Sequence, residues 1–522
     1  MLRPKIFAIF LLYISITPLA SRAQASSDQP LSPGLGRVSF PISCKAELRS
    51  RFESGVAELH SFQYAAAEKA FHDVSEADPR CAMAYWGLAM SAYHQLWEGA
   101  DEKAVRKGHE YLETARKIGG ADERERAYIA ALGMVLAGGR SASDGQLLRY
   151  SQAMEQISKS YPNDGEARAF YALSLLALPD KGDDLGLRRQ VISILNGLSD
   201  AQPEHPGAVH YLIHAADTPE LAQQGLAAAR RYAKIAPDSS HALHMPAHIF
   251  VRLGLWQESV DSNQAAAIAA ADATQHHLGE AHYQFHAMDF LDYSYLQLGE
   301  AGKARQIIAD LGKVPGKIPD ATTHMRVLFT TRNLLELHHW KEALALAPEG
   351  DPRDRQMIFL TRTIAAARTG DARAAQENFR NMKSEFKGDR RDKRAEAHER
   401  RIAEAWVDYV KGKHDRALRR MRSAADKQDR DDPGSFGASA REMLADLLLE
   451  LHRPAAAMAE YEAVLKIVPN RFNALYGAAA AAEMSGDAGK TKSYYSRLRE
   501  NCAPQADREE LQRAKIVAAG SE

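Results

Sequence analysis

Three pairs of histidines, each with three residues between its members, recur in the middle of the chain. They are His210 with His214, His244 with His248, and His282 with His286. A spacing of four residues places both imidazoles of a pair on one face of a helix, one turn apart. The first pair precedes the second by 34 residues, and 34 residues also separate His248 from His282. This period is typical of stacked helix-turn-helix repeats.

Paired imidazoles one helical turn apart suit a transition metal, because a ring nitrogen of each can reach one ion. Neighbouring packed helices lie roughly 8–10 Å apart, so side chains from two of them can share an ion. A nitrogen-rich ligand set favours zinc, copper, iron or nickel over calcium or magnesium. The alternative is a polar groove whose histidines bond to one another, to the backbone or to a peptide.

Two aspartates and a seventh histidine extend the set. Asp289 continues the helix face of the third pair by one turn, and Asp217 occupies the same place after the first pair. Asp217 precedes Thr218, where a new helix is expected to start, so capping is its alternative role. The middle pair departs from this pattern, with Val251 in the aspartate's place and an additional His241. The candidate metal ligands are His210, His214, His241, His244, His248, His282, His286, Asp217 and Asp289.

Composition excludes one broad class of partner. The 522 residues include 67 basic and 68 acidic side chains, and a nucleic-acid-binding chain usually has a basic excess. We therefore expect no nucleic-acid partner.

The first residues predict export. Arg3 and Lys5 precede an apolar stretch from Ile6 to Ile16, and small-residue cleavage sites end at Ala23 and Ala25. We expect a periplasmic or secreted protein without stable membrane insertion after cleavage; a retained signal anchor is the alternative.

Cysteine usage fits that compartment. Cys44 and Cys81 can form a disulfide under oxidising conditions, and two buried thiols are the alternative. Cys502 is left over in either case.

Helices separated by short turns dominate the sequence, and strand patterns are absent. Prolines such as Pro203 and Pro237, again 34 residues apart, mark helix ends. The predicted segments are a signal peptide (1–25), a linker (26–43), N-terminal repeats (44–204), histidine-rich repeats (205–300), irregular helical repeats (301–436), C-terminal repeats (437–503) and a tail (504–522).

Two segments resemble the tetratricopeptide repeat family. Residues 440–469 contain two helices joined by a turn at Pro454, and residues 48–79 carry Ala67 and Phe71 at the family's intervals. The resemblance implies an all-α, right-handed solenoid of helix-turn-helix repeats. It also implies that the fifth and ninth places of each first helix, which the histidine pairs occupy, line the concave surface.

A second resemblance is to a poorly characterised group of exported bacterial repeat proteins. The segments that carry it include Cys81–Gly87, His205–Gly207 and His241–His248. It implies a shared architecture and no activity.

These observations support an exported scaffold whose concave groove binds a transition metal, a peptide or protein partner, or both. One alternative is a metal-dependent hydrolase or oxygenase with Glu280, Asp217 or Asp289 as base or ligand. The glutamate of the zinc-hydrolase helix motif is missing, since Tyr211 and its counterparts stand in its place, which favours binding over catalysis. The other alternative is a metal-free interaction module.

Overall fold

The computed structural model describes residues 33–96, 101–119, 121–179, 185–276, 281–316, 318–385 and 392–519. Within these ranges the regular structure is helical and contains no strand, so the predicted all-α solenoid is confirmed. The expected signal peptide (1–25) lies outside the described residues.

The helices follow one another with short connections. In chain order they are α1 Arg49–His60, α2 Tyr64–Ala77, α3 Ala82–Tyr93, α4 Glu102–Ile118, α5 Glu123–Leu136, α6 Asp144–Ser160, α7 Gly165–Leu176, α8 Leu185–Ala201, α9 Pro206–Ala216, α10 Ala222–Ile235, α11 Ser240–His244, α12 Pro246–Leu253, α13 Trp256–Gln275, α14 Ala281–Gln297, α15 Ala301–Asp310, α16 Pro319–Glu336, α17 Trp340–Ala345, α18 Pro352–Arg368, α19 Ala372–Ser384, α20 Asp392–Val410, α21 His414–Asp431, α22 Ala440–Glu450, α23 Pro454–Ile467, α24 Phe472–Met484, α25 Ala488–Asn501 and α26 Glu510–Ala519. Successive helices pack in pairs, α1 on α2 and α9 on α10 for example, and each pair packs on the next.

Helix α4 shows how the sequence specifies one of these elements. Its buried positions include Val105, Leu112 and Ala115, which recur at helical spacing along one stripe. The Asp101 side chain accepts a hydrogen bond from the Ala104 N–H and caps the first turn.

The first helix of the middle histidine repeat is divided. Helix α11 ends at His244 and α12 begins at Pro246, which has no N–H to continue the hydrogen-bond ladder. Met245 between them keeps helical dihedrals (φ −53°, ψ −34°), so the two short helices follow one course. The second histidine pair therefore spans the break without losing its common face.

The predicted linker (26–43) packs against the repeats from Pro33 onward. The side chain of Phe40 is 0% exposed and stacks on Trp86 at 5.5 Å between ring centroids. A disulfide joins Cys44 to Cys81, with an S–S distance of 2.02 Å, and ties this segment to the start of α3. The Ser-, Pro- and Gly-rich composition that predicts a linker excludes a regular helix but does not exclude burial of single side chains such as Phe40.

The predicted tail (504–522) also packs on the repeats as far as it is described. Arg508 is buried and donates to the Glu336 carbonyl at 3.1 Å and to Asn473 Oδ1 at 2.9 Å. The Asp507 carboxylate accepts the Ala301 N–H at 2.7 Å, at the start of α15. Residues 504–519 therefore cover the array rather than extend from it.

Distant parts of the solenoid meet. Helix α1 contacts α9, and Trp256 Nε1 donates to the Asn470 carbonyl at 3.0 Å. The turn between α1 and α2 is thereby held against the histidine-rich repeats. In the described part of the chain no helix is both long and apolar enough to cross a membrane.

Candidate metal centre

Six of the seven candidate histidines form two clusters of three. Cluster 1 consists of His210, His214 and His241, and cluster 2 consists of His244, His248 and His286. Within each cluster, one ring nitrogen from every histidine lies within 4.8 Å of the others. Helices α9 and α11 supply cluster 1, whereas α11, α12 and α14 supply cluster 2.

In cluster 1 the Nε2 atom of His210 is the meeting point. It lies 3.1 Å from His241 Nε2 and 3.1 Å from His214 Nε2. The other ring nitrogen, Nδ1, lies 2.6 Å from the main-chain carbonyl oxygen of His60. A carbonyl only accepts, so Nδ1 carries the proton and the neutral His210 ring presents its Nε2 lone pair to its neighbours.

In cluster 2 two histidines, His244 and His248, likewise bond through Nδ1 to an acceptor outside the cluster. His244 Nδ1 lies 2.7 Å from Asn263 Oδ1, and His248 Nδ1 lies 2.9 Å from Asp217 Oδ2. The Asn263 amide nitrogen donates to the Ser259 carbonyl, which orients its oxygen towards His244. Both rings therefore donate outward through Nδ1, and their Nε2 atoms lie 3.0 Å apart. This outward donation is the arrangement that commonly fixes metal-binding histidines.

A phenyl ring covers each cluster. The Phe62 ring lies 4.5, 5.7 and 5.4 Å, between centroids, from His210, His214 and His241. The Phe290 ring lies 4.7, 4.9 and 5.2 Å from the three rings of cluster 2. Each group of imidazoles thus has an apolar aromatic wall in common.

Burial favours the neutral form of five of these imidazoles. It lowers the pKa of His210 and His241 well below the usual value, and neighbouring imidazoles add to the effect. Burial also lowers the pKa of His214 to about 3 and that of His286 to about 4, in both cases with a contribution from His248. Neutral rings at neutral pH have a lone pair available for a metal ion.

Three of the histidines predicted to line a concave groove are buried. His210, His241 and His244 are 0, 1 and 3% exposed. The α1–α2 turn lies against them, and Tyr283 donates its hydroxyl to the Phe62 carbonyl at 2.8 Å. The repeat register places the histidines on one side of the helices but gives no information about the distant turn that covers them.

Asp217 supports the site through His248. Its second oxygen, Oδ1, accepts from Arg252 Nε at 2.8 Å. Burial opposes ionisation of Asp217, but the bonds from His248 and Arg252 outweigh it and lower the pKa of the carboxyl. Asp217 directly follows α9, whereas Leu221 precedes α10, so Asp217 does not cap the start of α10.

The remaining predicted ligands join neither cluster. Asp289 accepts from Arg332 at 2.6 Å, and the same guanidinium binds Asp292 at 2.9 Å. The His282 ring lies against Tyr283, 4.1 Å away, at the N-terminal end of α14. Glu280 lies outside the described residues.

Sequence reasoning missed a buried triad of His60, Glu166 and His205. Glu166 Oε2 lies 2.6 Å from His60 Nε2, and Oε1 lies 3.2 Å from His205 Nε2. The other nitrogens are also bonded, His60 Nδ1 with the Tyr211 hydroxyl at 2.8 Å and His205 Nδ1 with the Ala208 N–H at 3.2 Å. The spacing of these three side chains would allow them to bind a metal ion. Their hydrogen bonds to one another and to residues of α9 indicate instead that they hold α9 in place.

One signal for that triad was available in the sequence. Glu166 is the second residue of α7, whose following positions are mainly apolar and buried. An ionisable residue on such a stripe needs a buried partner.

Comparisons with known proteins assign no family. No protein-family profile matches the chain, and no curated protein matches it. Human IFIT1 as a dimer with m7Gppp-AAAA is 14% identical, with a TM-score of 0.36 over 85% of this chain and 94% of that one. A monomeric IFIT1 mutant with Gppp-AAAA is 13% identical, with a TM-score of 0.38 over 85% and 95% of the two chains. The P58(IPK) TPR domain is 14% identical, with a TM-score of 0.22 over 91% and 99%. Similarities this distant assign neither site nor function.

Proposed function

We propose that this chain is a helical repeat protein that binds transition-metal ions through clusters 1 and 2. The observation that carries the proposal is the 3.0 Å separation of the Nε2 atoms of His244 and His248, whose Nδ1 atoms both donate outward. Two lone pairs facing each other at this distance repel unless a proton or a metal ion lies between them, and three such nitrogens in one cluster offer a metal ion more ligands than a single proton can use. Tetrahedral zinc with bonds of about 2.0–2.1 Å to nitrogen separates its ligands by about 3.3 Å, close to the spacing here.

Burial favours a metal ion over a peptide as the ligand of the histidines. The α1–α2 turn occupies the space that a peptide side chain would need against His210 and His241. A protein or peptide partner is therefore proposed on other surfaces of the solenoid. Asp217 and Asp289 are each paired with an arginine, which favours metal binding over general-base catalysis.

We further propose that the protein works in an oxidising, exported compartment, periplasmic or extracellular. The signal-like sequence of residues 1–25 supports this localisation. The disulfide between Cys44 and Cys81 supports it as well, since such bonds are rare in reducing compartments. We also propose, from the segments around Cys81 and His241, that the protein is similar to exported bacterial repeat proteins.

Metal analysis of protein purified without a histidine tag tests the proposed binding. We expect stoichiometric zinc, copper, iron or nickel, and a marked loss of metal in His244→Ala. His414→Ala, an exposed histidine in α21, is the matched control and should keep the metal content. Metal at background level after incubation with each of these ions, together with a melting temperature unchanged by chelator, would overturn the proposal.

A further inference from the structure

We infer that clusters 1 and 2 form a paired centre for two monovalent copper ions, each bound by three imidazole nitrogens. The inference rests on the proposed metal binding and deepens it by naming the ion, its number and its coordination. It follows from the grouping of the rings, from the aromatic walls and from the charge around them.

The grouping of the rings specifies two ions. Ligand nitrogens lie within 4.8 Å of one another inside each cluster. The six histidines fall into two separate groups of three rather than one group of six. The two groups are adjacent, with ring centroids 6.5 Å apart for His214 and His248 and 6.3 Å apart for His241 and His244. A metal–nitrogen bond is about 2 Å long, so one ion cannot use both groups of three. Two ions in adjacent sites can.

An apolar aromatic ring occupies one side of each group of three ligands. Phe62 lies against every ring of cluster 1, and Phe290 lies against every ring of cluster 2. Tyr232 stacks on His210 at 5.1 Å and closes another side of cluster 1. Zinc almost always takes four ligands in protein sites, and a phenyl ring is a poor substitute for the fourth. Monovalent copper is stable with three nitrogen ligands, and imidazole is a suitable ligand for copper.

The charge around the clusters also favours monovalent ions. In the described part of the chain each cluster consists of histidines alone, which are neutral when they bind a metal. The nearby carboxylates of Asp217 and Asp289 are already balanced by Arg252 and Arg332. Glu166, on the far side of His60, adds one anionic group. Two divalent ions would bring four positive charges into a buried site, and two monovalent ions bring half as many.

Anaerobic titration of chelator-treated protein with copper(I), in competition with bicinchoninate, tests the stoichiometry. We expect two copper(I) ions per chain, and X-ray absorption should show three nitrogen neighbours at each. His244→Ala should retain one ion, in cluster 1. Should that variant unfold, His286→Asn at the less buried edge of cluster 2 provides the same test.

The aromatic wall gives a second, independent test. Phe290→Ala makes room for a water ligand, so we expect its zinc affinity to rise at least tenfold and its bound copper(I) to oxidise faster in air. Phe290→Leu keeps an apolar wall and should behave like the unchanged protein. A single copper ion per chain, or zinc bound more tightly than copper(I) by the unchanged protein, would overturn the inference and leave the proposed metal binding intact. Absence of any metal would overturn both.

Discussion

His210 donates its Nδ1 proton to the main-chain carbonyl of His60, 2.6 Å away across 150 residues of sequence. The same residue, His60, bonds through its side chain to Glu166. A buried carboxylate, the end of helix α1 and the central ring of cluster 1 therefore belong to one hydrogen-bonded chain. The main-chain carbonyl at the end of α1 therefore fixes the tautomer of His210, a candidate metal ligand on α9.

Glu166→Ala should destabilise the fold strongly. The substitution leaves two buried imidazoles, those of His60 and His205, without their common acceptor. We expect the free energy of unfolding to fall by about 3 kcal/mol, because each buried donor left without an acceptor costs about 1–3 kcal/mol. Urea denaturation measures this change. Glu76→Ala, an exposed control, should stay within about 0.5 kcal/mol of the unchanged protein, and equal midpoints for the two variants would refute the supporting role.

Much of the fold could be predicted because it depends on local spacing. The 34-residue steps and the prolines at Pro203 and Pro237 reflect helix lengths and turns, which neighbouring residues determine. The grouping of His210 with His214, and of His244 with His248, depends on the same helical geometry. Sequence spacing is therefore sufficient to place the two histidines of each pair side by side.

The rest depends on contacts between distant residues. Phe62 covers cluster 1 from a turn about 150 residues away in sequence, and no periodic pattern connects the two. Phe40 and Arg508 are buried within segments whose composition resembles that of loops. Asp289 has the spacing of a ligand but is bonded to Arg332, which comes from another helix. Such partners become visible only when the helices are packed.

Loss of the disulfide should loosen the N-terminal segment. The bond between Cys44 and Cys81 closes a loop with a sequence separation of 37 residues. We expect Cys81→Ser to lower the free energy of unfolding by about 2–4 kcal/mol under oxidising conditions. Cys502→Ser removes the free thiol and should have little effect. If reductant lowers the melting temperature of the Cys81→Ser variant as much as that of the unchanged protein, the disulfide is not the cause.

Stability should decrease as the pH rises through the weakly acidic range, partly because of Glu58. Burial raises the pKa of this carboxyl to about 7 from 4.5, with Arg51 opposing the shift and Asp238 adding to it. The folded state therefore binds more protons than the unfolded state between pH 4.5 and pH 7, and unfolding becomes easier as the pH increases. We expect Glu58→Gln to reduce this decline by about 2–3 kcal/mol, measured by denaturation at pH 5 and pH 7.5. An unchanged pH slope would contradict the assignment.

Asp217→Asn should weaken cluster 2 without dismantling it. The amide still offers an oxygen to His248 Nδ1, but it lacks the charge that pairs with Arg252 and strengthens the imidazole as a ligand. We expect a 10–100-fold loss of metal affinity at cluster 2 alone, the usual effect of removing a residue that hydrogen-bonds to a metal-binding histidine. Titration resolves the two sites. Asp272→Asn, exposed on α13, is the control, and equal affinity losses at both clusters would point to a general loss of structure.

Arg471→Ala should separate the middle of the solenoid from its C-terminal repeats. The buried guanidinium donates to Glu442 at 2.5 Å, to Glu336 at 2.6 Å and to the Tyr293 hydroxyl at 2.7 Å. Its removal leaves two carboxylates buried without a cation, which should cost about 3–5 kcal/mol of the free energy of unfolding.

Calorimetry distinguishes this loss from a local effect. Because helices α14, α16 and α22 meet at Arg471, the single transition of the unchanged protein should broaden or divide in two in the Arg471→Ala variant. Arg497→Ala, on the exposed face of α25, is the matched control and should keep one transition. The effect of the substitution also depends on pH, because burial raises the pKa of Glu442 to about 7 and its protonation removes part of the penalty for losing the cation. The difference in stability between the Arg471→Ala variant and the unchanged protein should therefore shrink as the pH falls below 7, and a difference that is constant from pH 4 to pH 8 would show that packing, rather than charge, is what the arginine contributes.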